Sequence, residues 1–215
     1  MNAGIRISEI FYSLQGEART VGRPTVFVRL TGCPLRCGYC DTAYAFTGGV
    51  IYKLEEVLRE VASYNPKFVT VTGGEPLAQK ACLPLLTSLC DSGYEVSLET
   101  SGALDISNVD ARVSRVMDLK TPGSGEVEQN LFSNIEHLLP HDQVKFVICD
   151  EQDYYWAKTQ LENYRLADKV ADVLFSPSHA SLAPGLLAEW ILRDRLFVRM
   201  QIQLHKYLWA ESEGR

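Results

Sequence analysis

A polar side chain at every second position, in strand after strand, is the feature that most narrows what this chain can become. Runs rich in β-branched residues begin at Pro24, Lys67, Tyr94, Arg115, Gln143, Asp172 and Leu196, and each ends in a polar or glycine-containing segment. Successive side chains on a strand face opposite ways, so Phe27 and Arg29 point to one side while Val26, Val28 and Leu30 point to the other. Thr70 and Thr72 stand against Val69 and Val71 in the same manner. So do Glu95, Ser97 and Glu99 against Val96 and Leu98, and Asp118 and Lys120 against Met117 and Leu119. The run from Leu196 extends the pattern, with Arg199, Gln201, Gln203 and His205 opposite Val198, Met200, Ile202 and Leu204.

Helical periodicity fills the gaps. Leu54, Val57, Leu58 and Val61 recur at the spacing of a helix with one apolar face, and rougher patterns occupy 81–92, 151–165 and 186–194. Strand and helix in alternation predict parallel strands joined by right-handed crossovers. A closed eight-stranded barrel fills its lumen with branched apolar side chains, whereas this lumen is polar. The expected fold class is therefore α/β, an open or partial (β/α) barrel of mostly parallel strands. The alternative is an antiparallel sheet with its polar face in water. At 215 residues the chain suits a single domain spanning 1–215. Parallel α/β sheets place their sites at the carboxyl ends of the strands, where the segments TGC, TGGEP, ETSG, DLKTP, SPSH and QLHK all fall.

A formal charge of -6 argues against nucleic acid or an anionic membrane as partner and leaves a small molecule as the expected ligand. No apolar run reaches membrane-spanning length, and the N-terminus lacks the layout of a signal peptide, so a cytoplasmic location is expected. Thiols stay reduced there, and clustered ones bind metal or do chemistry. Three of the six cysteines, Cys33, Cys37 and Cys40, fall in the stretch TGCPLRCGYCDT. Cys82, Cys90 and Cys149 stand apart in apolar surroundings as small buried hydrophobes. Three thiolates on one short loop can hold three irons of a cubane cluster and leave the fourth open. A zinc knuckle completed by a distant cysteine, or by His137, His141, His179 or His205, is the competing reading.

The C-x3-C-x2-C spacing with Tyr39 before the last cysteine, Gly-Gly-Glu-Pro at 73–76, and Glu99-Thr100-Ser101-Gly102 together resemble the radical S-adenosylmethionine (SAM) superfamily. Within it, Leu14-Gln15-Gly16-Glu17 ahead of Arg29, Cys40-Asp41-Thr42, and Gln203-Leu204-His205-Lys206 resemble the 7-carboxy-7-deazaguanine synthases, over residues 8–208. The resemblance implies rearrangement of 6-carboxy-5,6,7,8-tetrahydropterin to 7-carboxy-7-deazaguanine with loss of ammonia, a step toward queuosine. A reduced 4Fe-4S cluster would cleave SAM, and the radical so formed would take a substrate hydrogen.

By the same resemblance, Cys33, Cys37 and Cys40 hold the cluster and Thr42 meets Mg2+. Tyr39, Cys40 and Asp41 border the SAM adenine. Gly74 lies along the methionine moiety, where a missing Cβ permits close approach. Glu99, Ser101, Asp118, Leu119 and Lys120 line the rest of the SAM site. Leu14, Gln15 and Gly16 meet the pterin edge, Thr72 adds a hydroxyl, and Arg29 suits the substrate carboxylate, with an ion pair to Glu95 or Glu99 as its structural alternative. Ser176, Pro177, Ser178 and His179 form a further strand end near SAM, and His205 is either a ligand contact or a core histidine. A homodimer fed by a flavodoxin-type electron donor is also implied. Two features depart from the family pattern: Asp118-Leu119-Lys120 stands where many members carry Ser-Pro-Lys, and the tail past Trp209 matches nothing and is expected to fray. A glycyl-radical-activating protein shares the cysteine motif but has no need of Leu14-Gln15-Gly16-Glu17 and Arg29 in its lumen.

Overall fold

Branched apolar residues on one face of each strand need cover, and the amphipathic segments between strands provide it. The computed structural model describes residues 4–179 and 181–210; residues 211–215, most of the tail expected to fray, lie outside that range. Its strands are β1 (Ile5–Leu14), β2 (Pro24–Leu30), β3 (Val50–Tyr52), β4 (Phe68–Gly73), β5 (Glu95–Thr100), β6 (Ser114–Asp118), β7 (Gln143–Ile148), β8 (Asp172–Pro177) and β9 (Arg199–Met200). The helices are α1 (Leu54–Ser63), α2 (Cys82–Asp91), α3 (Glu151–Asn163), α4 (Leu166–Lys169), α5 (Pro184–Asp194) and α6 (Leu204–Trp209).

All the described strands join one open sheet in the order β3-β1-β2-β4-β5-β6-β7-β8-β9. From β2 through β9 the pairing is parallel, whereas β1 runs antiparallel to both β2 and β3. The partial barrel expected from the alternation is what forms, and a water-facing antiparallel sheet is excluded. Val26, Val28, Val69, Val71, Leu98, Met117 and Phe146 pack outward against Val57 and Val61 of α1, Leu85 and Leu89 of α2, Tyr154 of α3 and Leu187 of α5. Burying one such aliphatic side chain stabilises the fold by roughly 1.5–3 kcal/mol, so this layer is a main source of the fold's stability. On the concave side a small apolar patch of Ala18, Val116 and Leu174 floors the lumen.

The last strand is much shorter than its sequence pattern. Only Arg199 and Met200 pair with β8, and the chain then turns into α6 instead of continuing the alternation through His205. Gln201 still donates its N–H to the Phe175 carbonyl at 3.1 Å. The matching return bond would have to come from the nitrogen of Pro177, which carries no hydrogen, so the ladder stops. The opposite surprise is β1, for which the sequence offered no signal. Ile5 and Ile7 keep a period of two, but the register against β2 shifts between Ile7 and Glu9, and this irregularity hides the strand from a pattern search.

Candidate active site

The carboxyl ends of the parallel strands open on one cavity of about 560 Å³. The cysteine loop leaves β2 and crosses its rim. Its neck is closed by the Gly32 N–H to the Ala45 carbonyl at 2.8 Å, while the Gly32 carbonyl accepts the Glu75 N–H at 2.7 Å. Arg36 donates Nη1 to the carbonyls of Cys33 and Leu35 at 2.8 and 2.6 Å and lies 4.2 Å from the Phe46 ring centroid. The Gly38 N–H reaches the Ser124 carbonyl at 3.0 Å. Pinned at both flanks, the loop turns Cys33, Cys37 and Cys40 toward the cavity.

Burial raises the Cys33 and Cys37 thiols above the ordinary value, and the proximity of Cys40 to each adds to the effect. Among the described residues no three His, Cys, Asp or Glu side chains are close enough to grip a single metal ion, the histidines of the zinc reading included.

Behind the loop, Glu75 is fully buried and joins two strand ends. Its carboxylate accepts the N–H and hydroxyl of Ser101, both at 2.6 Å, the Thr100 hydroxyl at 3.0 Å and the Leu77 N–H at 3.0 Å. At Gly74 an added Cβ would run into the Gly32 carbonyl and come within 2.8 Å of the Cys33 Cβ. The missing side chain therefore serves first to let the cysteine loop lie against β4.

The wall of the cavity is a network of charges. Glu17 pairs with Lys145 at 2.9 Å, Lys145 approaches Asp118 at 3.5 Å, and Asp118 pairs with Lys120 at 2.9 Å. Burial alone would raise the Glu17 and Asp118 carboxyls, yet the neighbouring ammonium groups hold both below their ordinary values. The Lys120 and Lys145 ammonium groups are correspondingly raised against their own burial. Glu99 behaves in the opposite way: burial, with Glu17 nearby, raises it even though the Thr72 hydroxyl donates to it at 2.9 Å.

Opposite the thiols, the Gln15 side chain donates to Thr70 at 3.1 Å and Glu99 at 3.3 Å, and its own oxygen accepts the Glu17 N–H at 3.1 Å. Arg29 pairs with Glu9 at 2.6 Å, with neither Glu95 nor Glu99; Glu95 binds Lys67 at 2.8 Å at an exposed strand end. His205 packs on Gly16, where any Cβ would meet its Nδ1, and Leu204 donates its N–H to the Gly16 carbonyl at 3.1 Å. Burial lowers the His205 imidazole. Asp41 accepts from Gln203 at 3.1 Å and Lys206 at 3.2 Å and so ties the cysteine loop to α6. Its carboxyl, which burial would raise, is held down to about 2, chiefly by Lys206.

A family model described as the Radical SAM superfamily matches residues 27–120. A 7-carboxy-7-deazaguanine synthase of Chlorobaculum tepidum is 45% identical over 96% of this chain and 95% of its own length. The chain belongs to the 7-carboxy-7-deazaguanine synthase family. A second synthase, from Koribacter versatilis, is 41% identical over 98% of this chain and 100% of its own. The crystal structure of QueE from Escherichia coli, 23% identical, shares the fold with a TM-score of 0.76 over 94% of this chain and 95% of that one.

Radical SAM members of this family work with a 4Fe-4S cluster and SAM, and those are the cofactors of this chain. The cavity fits them. Three thiols from one loop face it, and three buried polar atoms in its wall, the Tyr39 hydroxyl, Asp118 Oδ1 and Ser176 Oγ, have no hydrogen-bond partner among the described residues. Such atoms are costly unless something polar meets them.

The residues that the family resemblance marked come together here with one exception. Leu14, Gln15, Gly16, Arg29, Thr72, Tyr39, Asp41, Thr42, Gly74, Glu99, Ser101, Asp118, Lys120, Ser176, Pro177, Ser178 and His179 all line the cavity, with Glu99 in contact with both Gln15 and Thr72. Leu119 does not take part; it is fully buried in the outer core, as its place on the apolar side of β6 requires. Glu9, Glu17, Glu75, Lys145 and Lys206 carry much of the geometry and were given no role by the sequence. Glu17, Glu75 and Lys206 lie inside the family-like motifs and Lys145 on a strand's polar face, so those signals were present. For Glu9 there was none.

Proposed function

We propose that this chain converts 6-carboxy-5,6,7,8-tetrahydropterin to 7-carboxy-7-deazaguanine with loss of ammonia, as a single radical SAM domain over residues 1–215. The observation that carries the reading is that the three-thiol loop and Arg29 face the same cavity. On this reading a one-electron centre and a guanidinium suited to a carboxylate would share one chamber.

Cys33, Cys37 and Cys40 would hold the cluster, while Tyr39, Asp41, Gly74, Glu99, Ser101, Asp118 and Lys120, with Ser176 to His179, would surround SAM. Together the two cofactors supply the one-electron chemistry that removes a substrate hydrogen. The protein's part is to place and shield. Arg29 would hold the carboxylate, Leu14, Gln15 and Gly16 the ring edge, and Thr72 a further polar atom. His205, packed over Gly16, would border the ring edge on that side. Thr42, whose hydroxyl donates to Asp41 at 2.9 Å, would offer its oxygen lone pairs to Mg2+, which accepts few protein ligands and keeps several waters.

The enzyme is expected to act in the cytoplasm as a homodimer supplied by a flavodoxin-type electron donor. No helix among the described residues is long and apolar enough to cross a membrane. The test is to incubate anaerobically reconstituted protein with SAM, reductant, Mg2+ and the carboxylated tetrahydropterin and to follow products by mass spectrometry. Formation of the deazapurine is expected. Reductive SAM cleavage without any deazapurine would overturn the substrate, and zinc in place of iron and sulfide would overturn the mechanism.

A further inference from the structure

Arg29 is aimed by a device built into β1. In an unbroken strand Ile7 and Glu9 would share a face, because side chains alternate with a period of two. Here Ile7 pairs with Leu30 while Glu9 pairs with Arg29, so β1 takes up one extra residue, Ser8, as a bulge. Ile7 thus stays in the core, 2% exposed, and Glu9 turns onto the concave face beside Arg29.

Glu9 Oε1 accepts both the Arg29 Nε–H at 2.6 Å and the Tyr44 hydroxyl at 2.7 Å. The guanidinium also lies 5.7 Å from the Phe11 ring centroid and 5.9 Å from that of Tyr44. Glu9 is its one hydrogen-bond partner among the described residues. Phe11, Arg29 and Tyr44 line the cavity, whereas Glu9 stands behind them.

We propose that Glu9 and Tyr44 are positioning residues that fix which edge of the Arg29 guanidinium faces the substrate, and so set the preference for a carboxylated pterin. The assignment rests on the functional reading above. With Nε engaged by Glu9, the edge that remains for a two-pronged contact is the Nη1–Nη2 end. Holding that end still before the ligand arrives removes much of the rotamer entropy that an unrestrained arginine would lose on binding.

The test compares wild-type holoenzyme, loaded with cluster and SAM, with Glu9→Ala, Glu9→Gln and Tyr44→Phe. It measures KM for the carboxylated tetrahydropterin and Ki for tetrahydropterin lacking the carboxylate. Glu9→Ala is expected to raise KM about tenfold, the effect of losing one hydrogen bond to a charged group, while Ki stays within about twofold. Glu9→Gln keeps an oxygen for Nε and should recover most of the loss. Tyr44→Phe should raise KM about threefold, and both of these milder variants carry the test if Glu9→Ala does not fold.

Equal rises in KM and Ki, a lower KM in Glu9→Ala, or a glutamine no better than alanine would overturn the positioning role. Wild-type protein that leaves the carboxylated pterin unchanged would overturn the functional reading and this assignment with it. That outcome is distinguishable because it needs no variant.

Discussion

The carboxylate of Glu75 accepts two hydrogen bonds of 2.6 Å from Ser101, one from its N–H and one from its hydroxyl. This contact spans two strand ends, and through the Glu75 N–H the same residue grips the Gly32 carbonyl at the root of the cysteine loop. Replacing it leaves the Ser101 and Leu77 N–H groups and two hydroxyls without their acceptor. Glu75→Ala is therefore expected to cost about 3 kcal/mol of stability, read as a fall in denaturation midpoint, and Glu75→Gln distinctly less.

Gly74→Ala tests the seating of the loop. Its new methyl would meet the Gly32 carbonyl and the Cys33 Cβ, so the loop has to move away from β4. Iron and sulfide bound per chain after reconstitution should fall well below wild type, with the far-UV circular dichroism unchanged.

The thiols should divide cleanly. Single Cys→Ala changes at positions 33, 37 and 40 are expected to abolish the visible absorption of the reconstituted cluster, whereas Cys82→Ala leaves it intact. Cys82 is fully buried and its thiol is pushed up to about 12, mainly by burial and then by nearby Glu75. It should stay unmodified by iodoacetamide at neutral pH in the folded apoprotein.

Lys145→Met strands Glu17. In the wild type, Glu17 titrates below its ordinary value of 4.5, so its contribution is fully present above that pH and is lost as pH falls through the folded value. In the variant, burial without the ammonium raises the same carboxyl. The stability gap between the two proteins should therefore be widest at neutral pH, at about 3 kcal/mol, and narrow as pH falls through the carboxylate range. Urea denaturation at a series of pH values measures it. A gap independent of pH would mean that Glu17 does not answer to Lys145.

Much of the architecture was legible from periodicity. Val26, Val28 and Leu30 against Arg29 already specify which face is covered, because one apolar face repeated on strand after strand admits few arrangements. The errors fall where local chemistry interrupts the period. Pro177 ends the β8–β9 ladder without leaving a mark on the alternation that follows Leu196, and the bulge at Ser8 scrambles the alternation in β1.

The site divides along the same line. Residue type and spacing alone determined that Cys33, Cys37 and Cys40 share a loop and that Arg29 faces a polar lumen. Only the tertiary structure decided that Arg29 answers to Glu9, that Glu75 bolts two strand ends together, and that Glu17 meets Lys145, 128 positions away in the chain. Periodicity reports which face of a strand a side chain occupies; the partner of a buried charge depends on register and curvature, which are set only when the whole sheet assembles.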